Sequence, residues 1–225
     1  MKKILLVFLL WIGSLNIYPQ YNVDQPMSLI EVNGVSIAYT TTGEQENTPV
    51  LMIMGLMGSH KVWGEEIVNG LVDAGYRVIL FDNRDTGESE NLDRLGKPNL
   101  YWKFAMNSLG IDFSAPYTLS DMALDGLGIL DHLGVEEAHI VGASMGGMIA
   151  QTLAYEHPER VKSLVSIMST TGAPHLSQMS QRNEQNFRNA GEMDRERVHA
   201  YGFFPEAMPR QMTAIMKAGD RSEQV

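Results

Sequence analysis

The sequence predicts an α/β fold: a mostly parallel sheet with helices on both faces, followed by a helical segment. Three observations carry this expectation. Short apolar runs alternate along the chain with segments of helical period. Runs such as PVLMIMG (49–55) and RVILFD (77–82) are continuously apolar, as strands covered on both faces must be. A cluster of small residues, GASMGG (142–147), joins one such run directly to an apolar helix.

The elements follow in order. SLIEVNGVSIAYTTTG (28–43) reads as two short strands around the Asn33-Gly34 turn, a hairpin signal. The buried strand 49–55 comes next. KVWGEEIVNGLVDAGY (61–76) places Val62, Ile67, Leu71 and Val72 near helical spacing and ends at Gly75. After the strand 77–82, TLSDMALDGLGILDHLG (118–134) opens with Thr118 and Asp121 at capping-box spacing. Its Met122, Leu127, Leu130 and Leu133 form one apolar face. EAHIVGAS (137–144) is a strand, MGGMIAQTLAYEH (145–157) a helix stopped by Pro158, and KSLVSIMS (162–169) a strand. From about 175 onward the chain turns polar and Met-containing, read as helices.

Bulk composition narrows the function classes. The 225 residues suit one domain, and 44% hydrophobic with 20% charged residues is ordinary for a globular protein. A net charge of −10 argues against a nucleic-acid partner. Without cysteine there is no disulfide, no thiolate metal site and no cysteine nucleophile. The six histidines show no HxxxH or HxH pair, so no metal and no cofactor is expected. Residues 1–20 stand apart: Met1-Lys2-Lys3 precedes the 12-residue apolar run ILLVFLLWIGSL, the order of a signal peptide. The run is short for a bilayer span, and a membrane anchor is the alternative. The expected division is therefore a signal peptide (1–20), a core (21–172) and a helical cap region (173–225), exported or periplasmic, with no stable span after cleavage.

Gly142-Ala143-Ser144-Met145-Gly146 matches G-x-S-x-G between strand and helix, where a nucleophilic serine sits on a strained turn. The neighbours two before and two after must be small so that backbones can approach. The alternatives are a glycine-rich phosphate loop or a plain turn. Catalysis on Ser144 would need two N–H donors for an oxyanion, expected from Met145 and from Leu56, which follows the turn-permitting Gly55.

MGLMGS (54–59), FDNRDTGES (81–89), YTLSDMALDGLGILDHLGV (117–135) and HIVGASMGGMIAQTLAYEHPERVKSLVSIMSTTG (139–172) together resemble the α/β-hydrolases, in the aclacinomycin methylesterase-like and proline iminopeptidase-like branch. The resemblance covers about 30–172. It implies a serine hydrolase acting on a small ester or amide, with Asp82 and Asp85 holding turns rather than serving as the triad acid. Many α/β-hydrolases carry His-Gly where Met54-Gly55 stands here, but backbone donors do not need that histidine. In this fold the acid and then the histidine follow later strands. No segment like HGDxDP or GxGH follows 172, and Asp220 lies in a polar tail. The resemblance implies a front portion of that fold with the start of its helical cap, the last strands missing and the triad partners beyond residue 225, nearly inactive as it stands. His60, in the oxyanion-side loop, is the nearest alternative base. His132, His139, His157, His175 and His199 read as surface or loop residues. A non-catalytic binding protein, a cofactor-free haloperoxidase and an aminopeptidase are the competing functions.

Overall fold

The structure is a computed structural model that describes residues 20–173 and 195–224. Six strands form one sheet: β1 (Ser28–Val32), β2 (Val35–Thr42), β3 (Thr48–Ile53), β4 (Tyr76–Phe81), β5 (Ala138–Ala143) and β6 (Val161–Ile167). Their order across the sheet is β1-β2-β4-β3-β5-β6. The pairs β4/β3, β3/β5 and β5/β6 are parallel, while β1/β2 and β2/β4 are antiparallel. The hairpin turns where expected. Asn33 and Gly34 both hold positive φ (48° and 74°), the left-handed pair that matches strand twist in a two-residue loop.

Alternate residues of the central strands feed two cores. Val50, Met52, Val78 and Leu80 face α1 (Gly64–Asp73), meeting Val68 and Val72. Leu51, Ile53, Ile79 and Phe81 face the opposite side, packed with α3 (Leu119–His132) and α4 (Met145–Glu156) through Met122, Leu130, Ile149 and Leu153. A strand buried on both faces has no polar side to alternate with, which is why these runs are continuously apolar. Thr118 and Asp121 close the expected capping box at the start of α3.

Two details depart from the sequence reading. The helix expected over 61–76 is a 3-10 turn (His60–Trp63) followed by α1, which buries Val68 and Val72 and leaves Ile67 55% exposed. The i,i+4 pair that meets the sheet is therefore shifted by one residue from the one the pattern favours. An additional helix, α2 (Leu100–Ser108), stands between β4 and α3, capped by the Asn99 side chain accepting the Trp102 N–H. Downstream, α5 (Arg195–Ala200) and α6 (Met208–Ala218) are helical as expected. The signal-peptide assignment lies almost wholly outside the described residues, as does the start of the cap region.

Connectivity fixes where a ligand can sit. From β3 the chain crosses through α1 to β4 on one side, and from β5 through α4 to β6 on the other. The two crossovers run in opposite directions and lie on opposite faces, so the carboxyl ends of β3 and β5 form the switch point of the sheet, where this class of fold places its ligands.

Candidate active site

Ser144 stands at that switch point, on the step from β5 to α4. Its backbone is held at φ 55°, ψ −120°, a region a non-glycine residue occupies at a cost of about 1–3 kcal/mol. The strain is sustained from both sides: the Ser144 N–H donates to the Ile167 carbonyl (2.9 Å), and the Ser144 carbonyl accepts from Gly147 N–H (3.0 Å). The turn is also too tight for side chains. A Cβ at Gly142 would lie 2.2 Å from the Gly146 carbonyl oxygen, and one at Gly146 would lie 2.0 Å from that of Ile53. Both neighbours are buried while Ser144 itself is exposed. The spacing G-x-S-x-G thus has a local steric cause, read correctly from the sequence.

The loop after β3 comes up against this turn. A Cβ on Gly55 would meet the Ala143 carbonyl oxygen at 2.8 Å and Ser144 Cβ at 2.9 Å, so only glycine permits the approach. The three predicted site residues are therefore brought together: Ser144, Met145 as the first residue of α4, and Leu56 immediately after Gly55. Met145 opens the helix and its N–H has no intrahelical acceptor. Among the described residues neither that N–H nor the one on Leu56 is hydrogen-bonded.

Residues 54–59 are clamped on two sides. From the core, Asn83 Nδ2 donates to the Met54 carbonyl (2.7 Å). From downstream, Phe204 N–H donates to the Met57 carbonyl (2.7 Å), and Ser59 N–H donates to the Gly202 carbonyl (2.7 Å). Met57 N–H donates to Gln211 Oε1 at 2.7 Å, a buried contact between residues 154 apart in sequence. Gln211 completes its amide by donating from Nε2 to the Arg84 carbonyl (3.3 Å). None of the contacts from 202–211 was legible in sequence, because nothing local to α6 distinguishes Gln211 from a solvated glutamine.

FDNRDTGES holds turns, as the resemblance implied. Asp82 Oδ1 accepts from both the His60 N–H (2.7 Å) and His60 Nδ1 (2.8 Å), and Oδ2 accepts from Glu88 N–H (2.9 Å). Asp85 accepts from Leu92 N–H, the Tyr117 hydroxyl, and Arg210 Nε and Nη2 (2.8 Å each for the arginine). Burial, then the Asp85 charge, push the Tyr117 phenol far above its ordinary value, so it stays protonated and donates. Arg84 grips Asp125 with Nε and Nη2 (2.7 and 2.6 Å). Burial alone would lower the Arg84 guanidinium, but the Asp125 hydrogen bond and charge outweigh it and raise it.

The histidines separate by contact. His60, the nearest alternative base in the sequence, is 1% exposed, with Nδ1 on Asp82 and Nε2 3.3 Å from the Val23 carbonyl. Its ring serves the buried loop rather than Ser144. His132 pairs with the Tyr39 hydroxyl, His139 with Ser163, and His199 with Glu206. His157 lies 3.9 Å from Glu159, and His175 falls outside the described residues. Among the described residues no group of three or more His, Cys, Asp or Glu side chains could hold a metal ion. No helix there is long and apolar enough to cross a membrane.

Comparison with known proteins agrees with this architecture. A rhodomycin D methylesterase of Streptomyces peucetius is 35% identical over 143 residues, which make up 64% of this chain and 42% of the relative. A 2-hydroxy-6-oxononadienedioate/2-hydroxy-6-oxononatrienedioate hydrolase of Paraburkholderia phymatum is 34% identical over 141 residues, 61% of this chain and 41% of the relative. The chain thus spans less than half the length of either. Among solved structures, the enol-lactonase of Burkholderia xenovorans LB400 superposes with a TM-score of 0.61 at 20% identity, covering 88% of this chain and 76% of that one, a likeness of fold. A family model described as alpha/beta hydrolase fold matches residues 48–208, and with that match the chain belongs to the alpha/beta hydrolase fold family.

Proposed function

We propose that the complete protein is a serine hydrolase of carboxylic esters, with Ser144 as nucleophile and the N–H groups of Leu56 and Met145 as its oxyanion hole. The observation that carries the reading is the meeting of an exposed serine on a strained turn with Gly55 and two unengaged backbone donors. Ser144 Oγ attacks the ester carbonyl carbon. The carbonyl oxygen takes up negative charge between the two N–H groups, where fixed dipoles stabilise it without reorganisation. The alcohol leaves, an acyl-serine remains, and water releases the acid. A histidine oriented by a carboxylate takes and returns the proton. Both partners are supplied from outside the described residues, since the histidine rings among those are engaged elsewhere and Asp82, Asp85 and Asp125 are held by His60 and Glu88, by Arg210, and by Arg84.

The methylesterase relative supports small alkyl esters as the substrate class, with amides less favoured. Lys2-Lys3 and the apolar run after them support export as the setting, checked by locating the protein in cell fractions. The test uses the product of the complete reading frame. It should hydrolyse 4-nitrophenyl butyrate and take a fluorophosphonate on Ser144. Ser144→Ala should remove the label and lower kcat by about 10⁴-fold or more, as loss of a triad nucleophile does. Hydrolysis that survives Ser144→Ala, or no labelling of the complete protein, overturns the reading and favours a binding protein on the same fold.

A further inference from the structure

We propose that Gln211 is a positioning residue for the oxyanion hole, acting through Met57 from the downstream helix α6. The proposal rests on the hydrolase reading above. Residues 55–58 form a turn closed by the Gly58 N–H donating to the Gly55 carbonyl (3.0 Å). That carbonyl and the Leu56 N–H belong to the same peptide unit, so the turn sets the direction of the Leu56 donor. Met57, third in the turn, sits at φ 63°, the left-handed conformation that such a turn demands and that ordinarily goes to glycine or asparagine. An unbranched apolar side chain gives no local reason to stay there.

The reason lies elsewhere in the chain. Gln211 is fully buried, and its Oε1 takes the Met57 N–H at 2.7 Å while Phe204 N–H takes the Met57 carbonyl at 2.7 Å. Both polar groups of the strained residue are thereby engaged by 204–211. Gln211 is held in turn: its Nε2 donates to the Arg84 carbonyl, and its neighbour Arg210 is locked on Asp85. Without the Gln211 oxygen, a buried Met57 N–H is left unpaired. The turn then relaxes toward negative φ at Met57 and carries the Leu56 donor away from the position where charge develops on the substrate oxygen.

The expected signature is a loss in the transition state rather than in substrate binding. In the complete protein, Gln211→Met, similar in length but lacking the acceptor, should lower kcat on 4-nitrophenyl butyrate by about 10- to 100-fold, less than deleting a donor outright. KM should stay within about threefold, and the inhibition constant for phenylboronic acid, which forms a tetrahedral adduct on serine, should rise by the factor lost in kcat. If Gln211→Met fails to fold, Gln211→Asn reads the same contact, since the shortened side chain withdraws the oxygen while keeping the amide. A variant that folds and lacks the contact yet binds the boronate as tightly as the parent overturns the proposal alone. A parent protein that takes no fluorophosphonate on Ser144 removes the hydrolase reading and this proposal together.

Discussion

Tyr117 is 3% exposed and directly precedes Thr118, the cap residue of α3. Its hydroxyl donates to Asp85 Oδ2 at 2.6 Å inside the loop that also receives Arg210. Burial, and after it the Asp85 charge, raise the phenol far above the ordinary value of 10.0. A group whose folded pKa is raised contributes stability that is complete below its unfolded pKa and is lost as the pH climbs above it. Unfolding free energy should therefore begin to fall above pH 10, and this group can contribute at most about 1.4 kcal/mol of loss per pH unit. Tyr117→Phe should be less stable by about 1–2 kcal/mol at neutral pH, yet should lose less than the parent between pH 9 and 11. Urea midpoints at the two pH values check both signs. An equal alkaline loss in parent and variant would refute the assignment.

Among the elements, α3 depends on local chemistry that the sequence spells out. Thr118 accepts the Asp121 N–H and the Asp121 carboxylate accepts the Thr118 N–H, so two of the orphan donors at the helix start are satisfied reciprocally. Thr118→Ala should cost about 1 kcal/mol, seen as a lower Tm with the fold unchanged by circular dichroism. The helix it caps carries Asp125, the partner of Arg84, so fraying also loosens the loop after β4. Helix α2 is the contrary case. Its start signal is a single asparagine, it buries no residue, and Tyr101 and Trp102 face outward. Helical period is read from a face turned inward, and a helix without one leaves little to read. In α1 the pattern was present but one residue off, because two neighbouring apolar stripes compete and only contact with β4 selects Val68 and Val72.

For the whole molecule the decisive contacts join residues more than a hundred positions apart. Arg210, 2% exposed, ties α6 to Asp85 by two hydrogen bonds and reaches Asp93 with a third. Removing one partner of such a pair leaves a charge stranded in the interior. Arg210→Leu should therefore cost about 3–5 kcal/mol in urea unfolding and speed proteolytic cutting within 195–224. A variant with unchanged stability and protease resistance would show that the downstream helices are not anchored through this pair. The same anchoring holds residues 202–211 against the loop after β3. In this fold the site belongs as much to the downstream segment as to the strands beneath it.

The sequence by itself determined the sheet, the hairpin turn, the helix cap on α3 and the strained serine step, because each depends on residue types within a few positions. Continuous apolar strands need two covered faces, a two-residue turn needs left-handed residues, and the Ser144 turn needs glycines where another backbone passes within van der Waals contact. The family resemblance carried further and marked Asp82 and Asp85 as holders of turns. Only the tertiary structure decided that His60 is buried on Asp82, that Gly55 touches Ser144, and that Gln211 grips Met57. Those contacts join side chains to backbone groups far away in the chain. A buried glutamine and a solvated one share the same local sequence, and only packing distinguishes them.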